Sequence, residues 1–94
     1  MYLVVGLGNP EPEYSKTRHN MGFDVINKLS EKYKIEVKKE KFEGLYGTGI
    51  IEGEKVILLK PQTFMNASGE SVEKFAKFYK IDAKDILVIF DDID

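Results

Sequence analysis

Apolar positions along this chain fall into two patterns, short continuous runs and stretches of three-to-four residue spacing, and they alternate. Tyr2-Leu3-Val4-Val5-Gly6 is a compact apolar run that predicts a buried, central strand over residues 2–6. A glycine-bearing polar loop follows. Helical spacing then begins near Asn20, a suitable N-cap, with Asp24 placed to meet the positive end of the helix dipole. Phe23, Ile26, Leu29 and Tyr33 recur at the helical period and are expected to face a sheet. Ile35-Glu36-Val37 opens an extended segment that turns basic at Lys38, Lys39 and Lys41, the pattern of a solvated edge strand protected against further pairing. Residues 45–51 and 55–59 read as a hairpin closed by Glu52-Gly53-Glu54. The second strand gives way at Lys60-Pro61 to another polar loop, 62–69. Val72, Phe75, Ala76 and Tyr79 predict a second amphipathic helix, with Phe78 extending its apolar stripe. Asp82–Asp85 reads as a turn, and Ile86–Phe90 as a last strand. The element order predicts an α/β protein: a three-layer sandwich around a mixed, partly parallel sheet.

Composition narrows the functional classes. Fourteen basic and sixteen acidic residues leave a net charge of −2, which lacks the basic excess of a freestanding nucleic-acid binder. There is no cysteine and a single histidine, so disulfides and thiolate metal sites are excluded. The acidic cluster Asp91-Asp92-Ile93-Asp94 is not joined by other ligands at a metal-binding spacing, and no metal is expected. No apolar stretch is long enough to cross a bilayer, and the N-terminus lacks the basic and apolar regions of a secretion signal, so a cytoplasmic location and no membrane partner are expected. The sequence stops directly after an apolar run. The chain, and with it the sheet, is therefore expected to be incomplete.

Three loops follow strands and carry polar side chains suited to chemistry: Asn9 with His19, then Asn66, then Asp91. If the strands run parallel and adjacent, these groups gather where open α/β sheets bind ligands. Gly6-Leu7-Gly8 begins like a dinucleotide-binding turn, but Glu11 stands where the third glycine belongs and Pro10 removes a backbone donor, so that reading is set aside. An imidazole titrates near neutral pH and can take a proton from water, a service worth about 10²–10⁴-fold in rate. A carboxylate on its far nitrogen holds the ring and stabilises the cation that forms. Asp91 is the candidate for that role, with Asp92 or Asp94 as substitutes on sequence grounds. Asn9 and Asn66 both donate and accept hydrogen bonds, which suits them to a carbonyl, an amide or a ribose hydroxyl. Asn66 also competes with Ser68 to cap the second helix. No G-x-S-x-G and no cysteine signals a covalent nucleophile. The residue set points to hydrolysis by an activated water.

Val5-Gly6-Leu7-Gly8-Asn9-Pro10, Tyr14 and Thr17-Arg18-His19-Asn20-Met21-Gly22 resemble the opening signature of bacterial peptidyl-tRNA hydrolases. Lys60-Pro61-Gln62-Thr63-Phe64-Met65-Asn66-Ala67-Ser68-Gly69 resembles the family's second signature, and residues 86–94 its third. The resemblance implies a cofactor-free esterase that cleaves the bond between a peptide and the terminal ribose of tRNA, recycling tRNA after aborted translation. It implies His19 as the base, Asp91 as its orienting carboxylate, Asn9 and Asn66 as substrate-binding residues, and Tyr14 as a loop aromatic beside the same cleft. It also implies a monomeric protein. Two departures stand out. Glu11 occupies a position where the family usually has glycine. Family members also continue into a glycine-rich segment with a further asparagine, more sheet and a C-terminal helix, where part of the tRNA-gripping basic surface lies. A half-length chain is expected to expose sheet edges and to risk self-association. The alternatives are a non-catalytic RNA-binding relative of the same fold and an inactive fragment.

Overall fold

The computed structural model describes residues 1–8, 21–62 and 68–90. Five strands form one mixed sheet in the order β2-β3-β4-β1-β5. They are β1 (Tyr2–Gly6), β2 (Lys39–Lys41), β3 (Gly44–Ile51), β4 (Glu54–Pro61) and β5 (Ile86–Ile89). Helix α1 (Met21–Tyr33) follows the first loop, and α2 (Ser68–Tyr79) the second. A short 3-10 turn, Ala83–Asp85, leads into β5. The expected sandwich is present: α1 covers one face of the sheet and α2 the other.

Strand alternation sends β1 and β4 side chains into two cores. Leu3, Val5, Ile57 and Leu59 point toward α2 and pack with Phe75, Tyr46 and Ile81. Val56 and Leu58 point toward α1 and pack with Ile26 and Ile35, bordered by Val4, Leu29 and Tyr33. Because β1 and β4 are covered on both faces, their sequences read as continuous apolar runs. Phe75 is the keystone on the α2 side, in edge contact with Phe42 and Tyr46 at ring-centroid distances of 5.3 and 5.1 Å.

Both helices end in the same way. Lys34 and Lys80 adopt left-handed φ values of 56° and 55°. The next amides reach back, Ile35 N–H to Ser30 carbonyl (3.0 Å) and Ile81 N–H to Ala76 carbonyl (2.8 Å). These are Schellman closures with lysine in the place usually held by glycine. Ile35 and Ile81, the residues just beyond, are buried and carry the chain into the cores.

The hairpin differs from its sequence reading in its turn. β4 already begins at Glu54, paired with Ile51, so the turn is the two residues Glu52 and Gly53, with φ of 52° and 81°. Positive φ at both positions is the type I′ geometry that matches the strand twist. A second turn of this kind joins β2 to β3 through Phe42 and Glu43, at φ of 53° and 57°, with Lys41 paired to Gly44. Phe78 also departs from expectation. It is 56% exposed, lying against Phe42 and Tyr79 with the Lys41 ammonium 3.9 Å from its ring centre. At the two sheet edges the chemistry is opposite: β2 is charged, while β5 presents Leu87 and Val88 to solvent on either side.

Candidate active site

Three adjacent strands, β4, β1 and β5, run parallel. Val5 of β1 is level with Leu59 of β4 on one side and Val88 of β5 on the other. Their carboxyl ends therefore lie side by side, in the order β4-β1-β5. The chain leaves β1 into residues 9–20, leaves β4 into residues 63–67, and leaves β5 into residues 91–94. His19, Asn9, Tyr14, Asn66 and Asp91 belong to these three segments and lie outside the described residues, as do Asp92, Asp94 and Glu11. What the structure does bring together is the set of strand ends from which those segments start.

The base of this region is built by backbone contact. A methyl group on Gly6 would lie 2.2 Å from the Gly22 carbonyl oxygen and 2.4 Å from Ile26 Cγ1. A methyl group on Gly22 would lie 2.3 Å from the Leu7 carbonyl oxygen and 2.5 Å from that of Ile89. Here glycine is required for approach, since any side chain would push the first turn of α1 off the ends of β1 and β5. Leu7 N–H donates to the Ile89 carbonyl at 2.9 Å, extending the ladder one step past the strands. The sequence reading noted Gly6 as part of a turn; its contact with Gly22, sixteen positions on, needed the fold.

The exit from β4 is tied down separately. Gln62 N–H donates to the Glu43 carbonyl at 2.8 Å, and its side-chain amide donates to the Lys60 carbonyl at 3.1 Å. The left-handed Phe42-Glu43 turn thus meets the chain one residue before 63–67. At the far end of that segment, Ser68 and Ser71 of α2 are buried. α2 begins at Ser68, which therefore sits inside the first turn and not before it.

Two polar residues at this edge were not picked out from the sequence. The Lys60 ammonium donates to Asn27 Oδ1 at 2.9 Å and lies 5.8 Å from the Phe23 ring centre. Partial burial lowers its pKa below the usual lysine value. The alternation of β4 held the only signal: Lys60 follows Leu58 on the α1 face. Tyr79, also shifted, lies elsewhere; its pKa is raised by desolvation and by Tyr46. Among the described residues no group of histidine and carboxylate side chains could hold a metal ion, and no helix is long and apolar enough to cross a membrane.

Open α/β sheets usually bind ligands beyond the carboxyl ends of their parallel strands, and here three adjacent strands lead into polar segments. Comparison with known proteins makes the identity specific: the chain belongs to the peptidyl-tRNA hydrolase family, whose model matches residues 3–94. It is 62% identical over 93 residues to a peptidyl-tRNA hydrolase of Clostridium botulinum (strain Hall), covering 99% of this chain and 49% of that protein. It is 59% identical over 93 residues to that of Clostridium novyi, covering 99% of this chain and 50% of the relative. The crystal structure of peptidyl-tRNA hydrolase from Acinetobacter baumannii superposes with a TM-score of 0.93 at 50% identity, over all of this chain and 48% of that one. The chain spans about half the length of the curated relatives it matches.

Proposed function

We propose that this chain carries the water-activating half of a peptidyl-tRNA hydrolase and acts in the cytoplasm on the ester joining a peptide to the terminal ribose of tRNA. In this reading residues 1–94 are the N-terminal half of one domain. His19 takes a proton from water, which attacks the ester carbonyl; the acyl–oxygen bond then breaks, and the ribose oxygen departs as a hydroxyl with the proton returned from the imidazolium. Asp91 holds the imidazole and offsets its positive charge in the transition state. Asn9 and Asn66 grip the peptide and ribose ends of the substrate, and Tyr14 lines the cleft. Neither a cofactor nor a metal takes part in this scheme.

The observation that carries the reading is the adjacency of β4, β1 and β5 as parallel strands, because it gives the three motif segments a common origin. Family membership supplies the reaction class. The test is cleavage of an N-acylaminoacyl-tRNA, followed by release of the acylated amino acid. The reading predicts that His19→Ala lowers cleavage at least as far as loss of general-base help requires, about 10²–10⁴-fold. Cleavage unchanged in His19→Ala removes the histidine from its role. Cleavage unchanged in Asp91→Asn removes the aspartate.

A further inference from the structure

Among the described residues, Lys60 is a charged group at the strand ends that the hydrolysis scheme does not use. We propose that Lys60 contacts a phosphodiester of the RNA that bears the scissile ester, an inference that rests on the reading above for the identity of the ligand. Lys60 stands one position past Leu59, which is level with Val5, so it reaches the height of Gly6, where β1 gives out. Its side chain lies on the α1 face, beside Phe23 and Asn27 in the first two turns of that helix. The ammonium is therefore at the edge from which residues 9–20 and 63–67 depart.

Among the described residues, none neutralises its charge. An ammonium carries three donors, and Asn27 Oδ1, at 2.9 Å, accepts from it. The ring of Phe23 lies 5.8 Å from the ammonium, and the side chain as a whole is half-buried. Among the described residues the ion pair is Lys77 with Glu73, on the outer surface of α2; no carboxylate pairs with Lys60. Asn27 holds the ammonium in place without neutralising it. A partly desolvated cation fixed in this way gains more from an incoming phosphate than a freely hydrated surface lysine does. The chain as a whole is acidic, with a net charge of −2, so a local cation has to supply the attraction at this edge. A purely structural tether between β4 and α1 would use the same Asn27 bond but would be indifferent to the charge of a ligand.

The experiment uses the chain carrying isotope-labelled lysine, with cytidylyl-adenosine as the probe and its uncharged methylphosphonate analogue as the control. The proposal predicts that the Lys60 Cε resonance moves saturably with the phosphodiester and that this probe binds about tenfold more tightly than the analogue, as one charge-assisted contact provides. Lys60→Met should erase that preference. Lys60→Arg should keep the preference. Backbone spectra of both variants report that the fold is intact. A Lys60 resonance that does not respond, or a preference that survives in Lys60→Met, overturns the proposal. Running the titration in His19→Ala separates it from the hydrolysis reading. Lost discrimination at Lys60 with cleavage intact counts against the phosphate contact alone, and the converse counts against hydrolysis alone.

Discussion

Gly22→Ala tests whether the first turn of α1 is seated on the strand ends by backbone contact. The added methyl would lie 2.3 Å from the Leu7 oxygen, 2.5 Å from the Ile89 oxygen and 2.5 Å from the Leu7 nitrogen. Ordinary carbon–oxygen contacts need about 3.3–3.6 Å, so the helix must lift by about 1 Å. The obstructing atoms are main chain, and two of them make the 2.9 Å hydrogen bond between Leu7 and Ile89. Overpacking of this kind costs about 1–3 kcal/mol, and breaking that hydrogen bond would add about 1 kcal/mol. Alanine returns about 1 kcal/mol in helix propensity. The net expectation is a loss of about 1–3 kcal/mol, or about 4–8 °C in Tm per kcal/mol for a domain of this size. Gly69→Ala is the control, because it lies in α2 with nothing within 4 Å of the added methyl, and propensity alone should leave it neutral or stabilised. Urea unfolding followed by helical circular dichroism measures both. Gly22→Ala as stable as the parent, or both variants moving in the same direction, would falsify the close-approach argument. A 1 Å lift of α1 would also displace the segment preceding it, a change that can cost about 100-fold in a positioned reaction.

Four further substitutions probe the packing. Lys34→Gly and Lys80→Gly relieve left-handed backbone at the two helix closures and should each stabilise by about 1 kcal/mol in urea unfolding; destabilisation would mean that the lysine side chains matter more than their backbone. Ser71 is buried and its hydroxyl has no hydrogen-bond partner among the described residues, so Ser71→Ala should be neutral or stabilising by about 1 kcal/mol, whereas a loss above that would reveal an unrecognised role for the hydroxyl. Phe75→Ala removes a fully buried ring that touches Phe42, Tyr46 and Tyr79 and should cost about 3–5 kcal/mol, with a cost under 1 kcal/mol refuting its central place in the α2-side core.

How much of this was legible in the sequence depended on whether the signal was local. The run Tyr2–Gly6 and the spacing Phe23, Ile26, Leu29, Tyr33 carried their periods openly, and β1 and α1 lie where they predict. The β2–β3 turn was hidden because Phe42 and Glu43 are poor residues for positive φ. Packing of the Phe42 ring against Phe75 and Phe78 offsets that local cost, and such compensation leaves no trace in short-range pattern. Phe78 misled in the opposite way. It continues the apolar stripe of α2, yet its position on the helix carries it past the sheet edge, where Lys41 covers it. The site divides along the same line. Each polar segment follows an apolar run, so Asn9, His19, Asn66 and Asp91 could be proposed from the sequence, though they lie outside the described residues. Lys60 with Asn27, separated by 33 positions, emerges only from the register that lays β4 beside α1.

The central claim is that three strand-end segments form one site around His19. Since His19 is the single histidine, its ring resonances are unambiguous, and a pH titration of the imidazole by NMR in the parent and in Asp91→Asn addresses the claim directly. A carboxylate beside the ring favours the imidazolium, so His19 should titrate at higher pH in the parent than in the variant. Identical titration curves would contradict the pairing and, with it, the gathering of the three segments into one site.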